Sequence, residues 1–322
     1  MNQNPYLFVV GCPRSGTTLL QRMLDGHPQL AVANDTHFIP KAIGQVDPGV
    51  DPPMTPALLQ AVREYKRFPR LGLPEAAVDS AAENARTYSQ FVSALYAAFA
   101  QMHDKPLGGE KTPDYVRELP RLHALFPWAK IIHLVRDGRD VALSALEWAR
   151  ENKGPGRFEL WAEQPVAVCA LWWRWQVSTG RQDGANLPRD CYREIQYEDL
   201  VSQPEESLRA LADFLELPFS PHMVAFYEGK TRPQSGLSAK SAWLPATRGL
   251  RDWRTQMGEK DAALFEALAG DVLGQLGYEL RANTLSEETA AVAQRCRNWW
   301  ELEMARRRNK PDKGFTILAA GS

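Results

Sequence analysis

The stretch that most constrains this chain is residues 7–26, LFVVGCPRSGTTLLQRMLDG. Leu7 to Val10 is an apolar run long enough for a buried parallel strand and too short for a helix. It breaks at Gly11-Cys12-Pro13-Arg14-Ser15-Gly16, and from Thr17 onward apolar residues at Leu19, Leu20, Met23 and Leu24 read as a helix. A strand, a glycine loop and a helix start together make an anion site. The first helical turn has unpaired N–H groups and a partial positive charge, and glycine lets the backbone approach a phosphate. Arg14 adds a full charge, while Ser15, Thr17 and Thr18 add hydroxyl donors. We read residues 11–18 as a phosphate loop; the alternative is a tight turn with no ligand.

The spacing of Gly11 and Gly16 resembles G-x-x-x-x-G-K-[ST], but Thr17 stands where a nucleoside triphosphatase carries lysine. Without that lysine the loop suits a single phosphate better than a triphosphate. A second strand–basic loop–helix unit follows at WAKIIHLV (128–135), Arg136-Asp137-Gly138-Arg139-Asp140 and a helix through Ala149, with Ser144 a turn inside it. Repetition of such units predicts an α/β fold on a parallel sheet, with residues just past the strand ends facing a common crevice.

Further strands are expected at 29–33, ending at Asn34-Asp35-Thr36-His37, and at 191–196, leading into Tyr197-Glu198-Asp199-Leu200. Helices are expected near 55–65, 89–102, 115–126, 166–181, 204–215 and 260–276, and in a tail beginning at Ser286. Gly108 to Pro113 reads as a loop, 40–75 as a proline-rich segment, 151–165 as a mobile linker and 228–247 as a basic lid. Trp172, Trp173 and Trp175 read as core, and His133, in mid-strand, as a satisfied core histidine. The expected organisation is one domain over 1–322, with an insertion at 40–105, a lid at 228–254 and a helical tail at 284–322 that packs on the domain or on a second copy, so a homodimer is open.

Thirty-eight basic and thirty-nine acidic residues nearly cancel, so no global field draws the chain to nucleic acid or a membrane surface. Four scattered cysteines without a C-x-x-C pair point to reduced thiols, and the histidines show no ligand spacing, so no metal is expected. Neither a signal peptide nor a run of eighteen apolar residues is visible. A cytoplasmic protein with no membrane partner is the expectation.

Several ordered segments together resemble one family. Pro13 to Thr18 looks like the 5′-phosphosulfate loop of sulfotransferases that use 3′-phosphoadenosine 5′-phosphosulfate (PAPS); Val135 to Arg139 with Ser144 resembles their 3′-phosphate site. Tyr197 to Leu200 resembles the segment whose tyrosine lies against adenine, and Arg248-Gly249 with Trp253 is similar to the C-terminal lid. The first block, PRSGTTLLQRMLDGHPQLAVANDTHFIPK, is most similar to protein-tyrosine sulfotransferases. The resemblance implies a three-layer, P-loop NTPase-like sulfotransferase fold with PAPS as donor, 3′,5′-bisphosphoadenosine (PAP) as product and no metal. It assigns Arg14, Ser15, Gly16, Thr17, Thr18, Arg136, Ser144, Tyr197, Arg248 and Gly249 to the nucleotide. Asp35 falls on the family's catalytic glutamate, His37 and Lys41 on two acceptor-side arginines, and Lys111 on a lysine beside the transferring group. The departures at 35, 37 and 41 detach the tyrosine acceptor from the likeness.

The chemistry expected is in-line transfer to a hydroxyl or amine of a small-molecule or peptide acceptor. Lys111 and Arg14 would stabilise the leaving oxygen and Asp35 would act as base, with His37 as rival. An aspartate near pKa 4 needs its pKa raised by burial to serve, whereas histidine titrates near neutrality unaided. Structural alternatives stand beside these roles: Asp35 as an N-cap or Asx-turn residue, Lys111 as a solvated loop residue, Arg136 in a strand-end ion pair with Glu198 or Asp199. Aromatic residues at 38, 65, 68, 158, 161 and 243 lean towards a hydrophobic acceptor. Rival functions are a small-molecule kinase on a P-loop scaffold and a nucleotide-binding protein without catalysis.

Overall fold

The computed structural model describes residues 3–44, 46–149, 153–228, 251–281 and 285–308. Five strands form one parallel sheet: β1 (Leu7–Val10), β2 (Leu30–Asn34), β3 (Leu107–Lys111), β4 (Lys130–Val135) and β5 (Tyr192–Gln196). Their order is β2-β3-β1-β4-β5. The chain leaves β1 towards one edge, returns to fill the slot beside it, then crosses to the other edge, so the sheet's switch point lies at β1. Ligand crevices in open parallel sheets form there, at the carboxyl ends of the strands.

β1 is buried on both faces, and its side chains alternate between two cores. Phe8 and Val10 face one built with α5, while Leu7 and Val9 face one built with α1. The helices in chain order are α1 (Thr17–Asp25), α2 (Phe38–Ala42), α3 (Pro56–Glu64), α4 (Glu75–Asn84), α5 (Tyr88–Met102), α6 (Leu119–Leu125), α7 (Gly138–Trp148), α8 (Pro165–Ala185), α9 (Tyr197–Ser202), α10 (Pro204–Phe214), α11 (Trp253–Gln256), α12 (Glu259–Gln275) and α13 (Glu287–Arg308). A third core joins α7, α8 and α12 to the inner face of α13, where Ala293, Cys296 and Trp300 are buried. The architecture is therefore α/β with a central all-parallel sheet between helical layers. No helix among the described residues is long and apolar enough to cross a membrane.

Three expectations are corrected. Residues 108–111 are not loop but the core of β3, bonded to both β1 and β2. The sequence LGGEK hides this because its glycines answer a need for close approach. A Cβ on Gly108 would stand 2.3 Å from the Tyr96 carbonyl oxygen of α5. The 75–84 stretch, read without a helix, forms α4 with Val78 and Ala81 buried against the core. In place of a linker, 153–162 forms two 3-10 turns, Gly154–Arg157 and Glu159–Ala162. Phe158 between them is buried against Trp300 of α13 with ring centroids 4.7 Å apart. The three tryptophans of α8 pack as expected, and His133 is buried as expected but only half satisfied: Nδ1 lies 2.7 Å from the Tyr192 hydroxyl, while Nε2 has no hydrogen-bond partner among the described residues. Residues 229–250, including Arg248, Gly249 and Trp243, lie outside the described residues.

Candidate active site

Each strand delivers a polar side chain to the crevice from its carboxyl end. The loop after β1 turns through Arg14 at φ 79° and Gly16 at φ 92° into α1, whose start no side chain caps. Gly16 is required twice over. Its φ lies in the left-handed region, and a Cβ would stand 2.4 Å from the Tyr197 ring. Tyr197, the first residue after β5, thus sets the Cδ2–Cε2 edge of its ring against the loop. Its ring also sits 4.2 Å beneath the Arg136 guanidinium, the first residue after β4. One aromatic ring therefore joins the two loops read as phosphate sites.

Arg14 reaches the same place from the other side, its Nε–H donating to Ser144 Oγ at 3.0 Å on α7. Its guanidinium lies 5.5 Å from the Trp148 ring, which carries Lys153 at 4.8 Å. Burial, and then the like charges of Arg251 and Arg136, hold Arg14 below its ordinary pKa, while Glu147 works against them. Crowding of guanidinium groups is costly without an anion between them, so a multiply charged anion is the ligand class that fits. Two acids of α7 hold the cluster together. Glu147 forks onto Arg251, and Asp140 pairs with Arg136 at 3.4 Å while accepting the Trp253 N–H at 2.9 Å. Ser15 Oγ and Arg136 Nε are buried without a hydrogen-bond partner among the described residues. Those orphaned donors, with the uncapped helix start, fit a phosphorylated nucleotide spanning both loops.

A second polar cluster is built on β2 and β3. Lys111 ends β3 and is 1% exposed, so a solvated loop role is excluded; its Nζ donates to Asp35 Oδ1 at 3.0 Å and Thr18 Oγ1 at 3.3 Å. Burial alone would raise the Asp35 carboxyl, but Lys111, His37 and Arg67 outweigh it and hold the group below the usual carboxylate range. The elevation that a base would need is thus absent here, because the ammonium that would aid the leaving group is also its nearest neighbour. Nor is Asp35 an N-cap, since the residue before α2 is His37 and no side chain caps that helix. His37 Nδ1 lies 3.8 Å from Asp114, and burial lowers its pKa to about 4, so the imidazole is neutral at physiological pH. It does not titrate near neutrality, as its sequence reading had it. Asp35 and His37 both sit in the left-handed region, at φ 56° and 59°. Strain of this kind in residues other than glycine clusters at functional sites.

Arg14, Ser15, Gly16, Thr17, Thr18, Arg136, Ser144 and Tyr197 therefore converge on one cleft, and Lys111, Asp35 and His37 form its second half. Arg136 pairs with Asp140 rather than with Glu198 or Asp199; Glu198 instead accepts the Asp137 N–H at 3.0 Å. Phe38, Phe68 and Phe158 are buried in the cores, so their side chains are spent on packing, which weakens their support for a hydrophobic acceptor. Trp148, Arg251, Asp114 and Glu110 were missed. Of these only Trp148 and Arg251 carry a sequence signal: one lies four residues after Ser144, the other beside the lid arginines.

The sulfotransferase family model matches residues 5–221. Protein-tyrosine sulfotransferase 1 of Danio rerio is 26% identical over 288 residues, covering 87% of this chain and 74% of that protein. Protein-tyrosine sulfotransferase A of Caenorhabditis elegans is 24% identical over 285 residues, covering 87% and 69%. Among solved structures, the sulfotransferase domain from the curacin biosynthetic pathway superposes with TM-score 0.59 at 24% identity, covering 86% of this chain and 98% of that one. The sulfotransferase domain of the Synechococcus PCC 7002 olefin synthase gives 0.54 at 24% identity, covering 91% and 94%. A phosphate loop on the central strand, a match over two thirds of the chain and shared architecture lead to one conclusion: this chain is an enzyme of the sulfotransferase family.

Proposed function

We propose that this chain transfers a sulfuryl group from PAPS to a hydroxyl or amine of a small-molecule or peptide acceptor, releasing PAP. The observation that carries the reading is the bridge formed by Tyr197, whose ring touches the Arg14 loop at Gly16 and the Arg136 guanidinium at once. On this reading the Arg14 loop holds the 5′-phosphate, and Arg136 and Ser144 hold the 3′-phosphate. The donor supplies the sulfuryl group and a phosphate leaving group. One S–O bond forms to the acceptor oxygen as the S–O bond to phosphate breaks, and the acceptor proton passes to Asp35 or to His37.

Lys111 couples the two halves of that exchange, because its ammonium is shared between Thr18 on the phosphate side and Asp35 on the acceptor side. As negative charge gathers on the leaving oxygen, the ammonium is drawn towards it and loosens its hold on the carboxylate. Burial then dominates at Asp35, its pKa climbs, and the group strengthens as a base when the acceptor proton must leave. The relatives named protein-tyrosine sulfotransferases support a phenolic hydroxyl among the acceptors to be tried.

The test is thermal stabilisation. At about a hundred times its Kd, PAP should add ~2.7 kcal/mol, a rise of roughly 4 °C for a chain of this size. ATP with magnesium should give far less, since Thr17 replaces the lysine a triphosphate requires. Equal shifts would favour a kinase. Stabilisation by PAP without transfer of labelled sulfate to any phenol, alcohol, amine or peptide would favour a binding protein.

A further inference from the structure

Glu110 is a carboxylate with 0% exposure and no ion-pair partner among the described residues. Burying such a group is costly unless donors replace its water, and three do. Oε1 accepts the Thr36 N–H at 3.0 Å and the Thr112 hydroxyl, and Oε2 accepts the Tyr96 hydroxyl at 2.7 Å. All three partners can donate, which suits a carboxylate: burial raises the Glu110 pKa, and the Thr112, Tyr96 and Thr36 donors oppose that rise, whereas a glutamine turns a donor of its own towards one of them.

The place of the Thr36 bond gives it meaning. Thr36 lies between Asp35 and His37, the two residues held at left-handed φ. Neighbouring side chains on a strand point to opposite faces, so β3 meets this turn from both sides. Lys111 takes the Asp35 side chain on one face, and Glu110 takes the Thr36 backbone on the other. The remaining backbone of the turn is tied as closely. The Asp35 N–H donates to the Lys111 carbonyl at 2.8 Å, and the Ile39 N–H donates to the Tyr115 hydroxyl at 3.1 Å. Among these ties, Glu110 alone supplies a side-chain anion.

We propose that Glu110 is a positioning residue of the acceptor side: by holding the Thr36 N–H it fixes the strained turn that keeps Asp35 against Lys111 and His37 against Asp114. It touches no reacting atom and acts through the backbone. The proposal rests on the reading that Asp35 and His37 face the acceptor, but one arm of its test does not.

That arm is the His37 imidazole, which faces Asp114, Arg67, Asp35 and Lys111 and is held at about 4 by burial. In Glu110→Gln and Glu110→Ala the released turn should let the imidazole move out, and its pKa, read by NMR against a His37→Asn control, should climb towards its ordinary 6.5. PAP affinity, read by calorimetry, should stay within about twofold, because the phosphate loops lie on β1 and β4; turnover should fall roughly a hundredfold with little change in donor KM. The glutamine keeps the residue's size, so one variant folds if the role is positional. A His37 pKa that stays near 4 in a variant still binding PAP would overturn the proposal, as would failure of both variants to fold. If the wild type binds PAP but transfers nothing, the sulfuryl reading fails and the imidazole still decides the role of Glu110.

Discussion

Replacing Arg136 by alanine separates one end of the proposed nucleotide from the other. Its guanidinium lies over Tyr197 at 4.2 Å and pairs with Asp140 at 3.4 Å, while its Nε has no partner among the described residues and is left for a ligand. A hydrogen bond to a charged group contributes about 1.5–3 kcal/mol, or roughly a 10- to 150-fold loss of PAP affinity. A second effect adds to it. Asp140 loses its cation and faces the 3′-phosphate, and burial already lifts this carboxyl above its ordinary pKa, with Arg136 the first influence opposing that. Without the arginine the pKa rises further, so the carboxyl sheds its charge, and with it its repulsion of phosphate, more readily as pH falls. The affinity ratio of wild type to variant should therefore be larger at pH 8 than at pH 5.5, and Arg136→Ala/Asp140→Asn should lose that pH dependence. Adenosine 5′-phosphate, which offers nothing at this end, should change by no more than about threefold. Calorimetric titration of both nucleotides at both pH values reads all of this. Parallel losses for the two ligands would refute the assignment of Arg136 to the 3′-phosphate.

Lys111→Met tests the buried pair. In the wild type the Asp35 carboxyl is depressed, so the pair contributes stability above the unfolded pKa near 4 and loses it as pH falls through the folded value. In the variant burial is unopposed by the ammonium, the carboxyl rises, and its ionisation costs stability as pH increases. The deficit should be about 3 kcal/mol at pH 7, the low end for a broken buried pair because 26% of the Asp35 side chain is exposed, and should shrink towards pH 4 in urea titrations. A deficit independent of pH would show that the ammonium does not govern Asp35. Gly16→Ala should cost roughly 2 kcal/mol through its left-handed φ and the contact with Tyr197, and should weaken PAP and adenosine 5′-phosphate alike. Tyr197→Ala in that background should recover part of the stability, and strict additivity of the two changes would place the ring elsewhere.

How much of the site could be read from the sequence depended on how each residue reaches it. Arg136 lies immediately beyond an apolar run and Arg14 and Thr18 in the loop and helix start that follow another, so the strands announce them; β1 appears where Leu7–Val10 is continuously apolar and β4 where 131–135 is apolar but for His133. β3 escaped because its strand character is tertiary. LGGEK has no β-branched residue, and it is extended only because β1 and β2 leave a slot with hydrogen-bonding groups on both sides. Missing the strand hid the alternation within it, and with that the reason why Lys111 and Glu110 serve opposite faces of one turn. Sequence likeness could place a carboxylate and an imidazole at 35 and 37, but it carried no charge balance. Asp35 was expected to need a raised pKa and His37 to titrate unaided, yet Lys111 depresses the first and burial depresses the second. The two shifts have different origins: at Asp35 the Lys111 ammonium and its neighbours outweigh burial, whereas at His37 burial leads and Lys111 is the weakest of the influences on it.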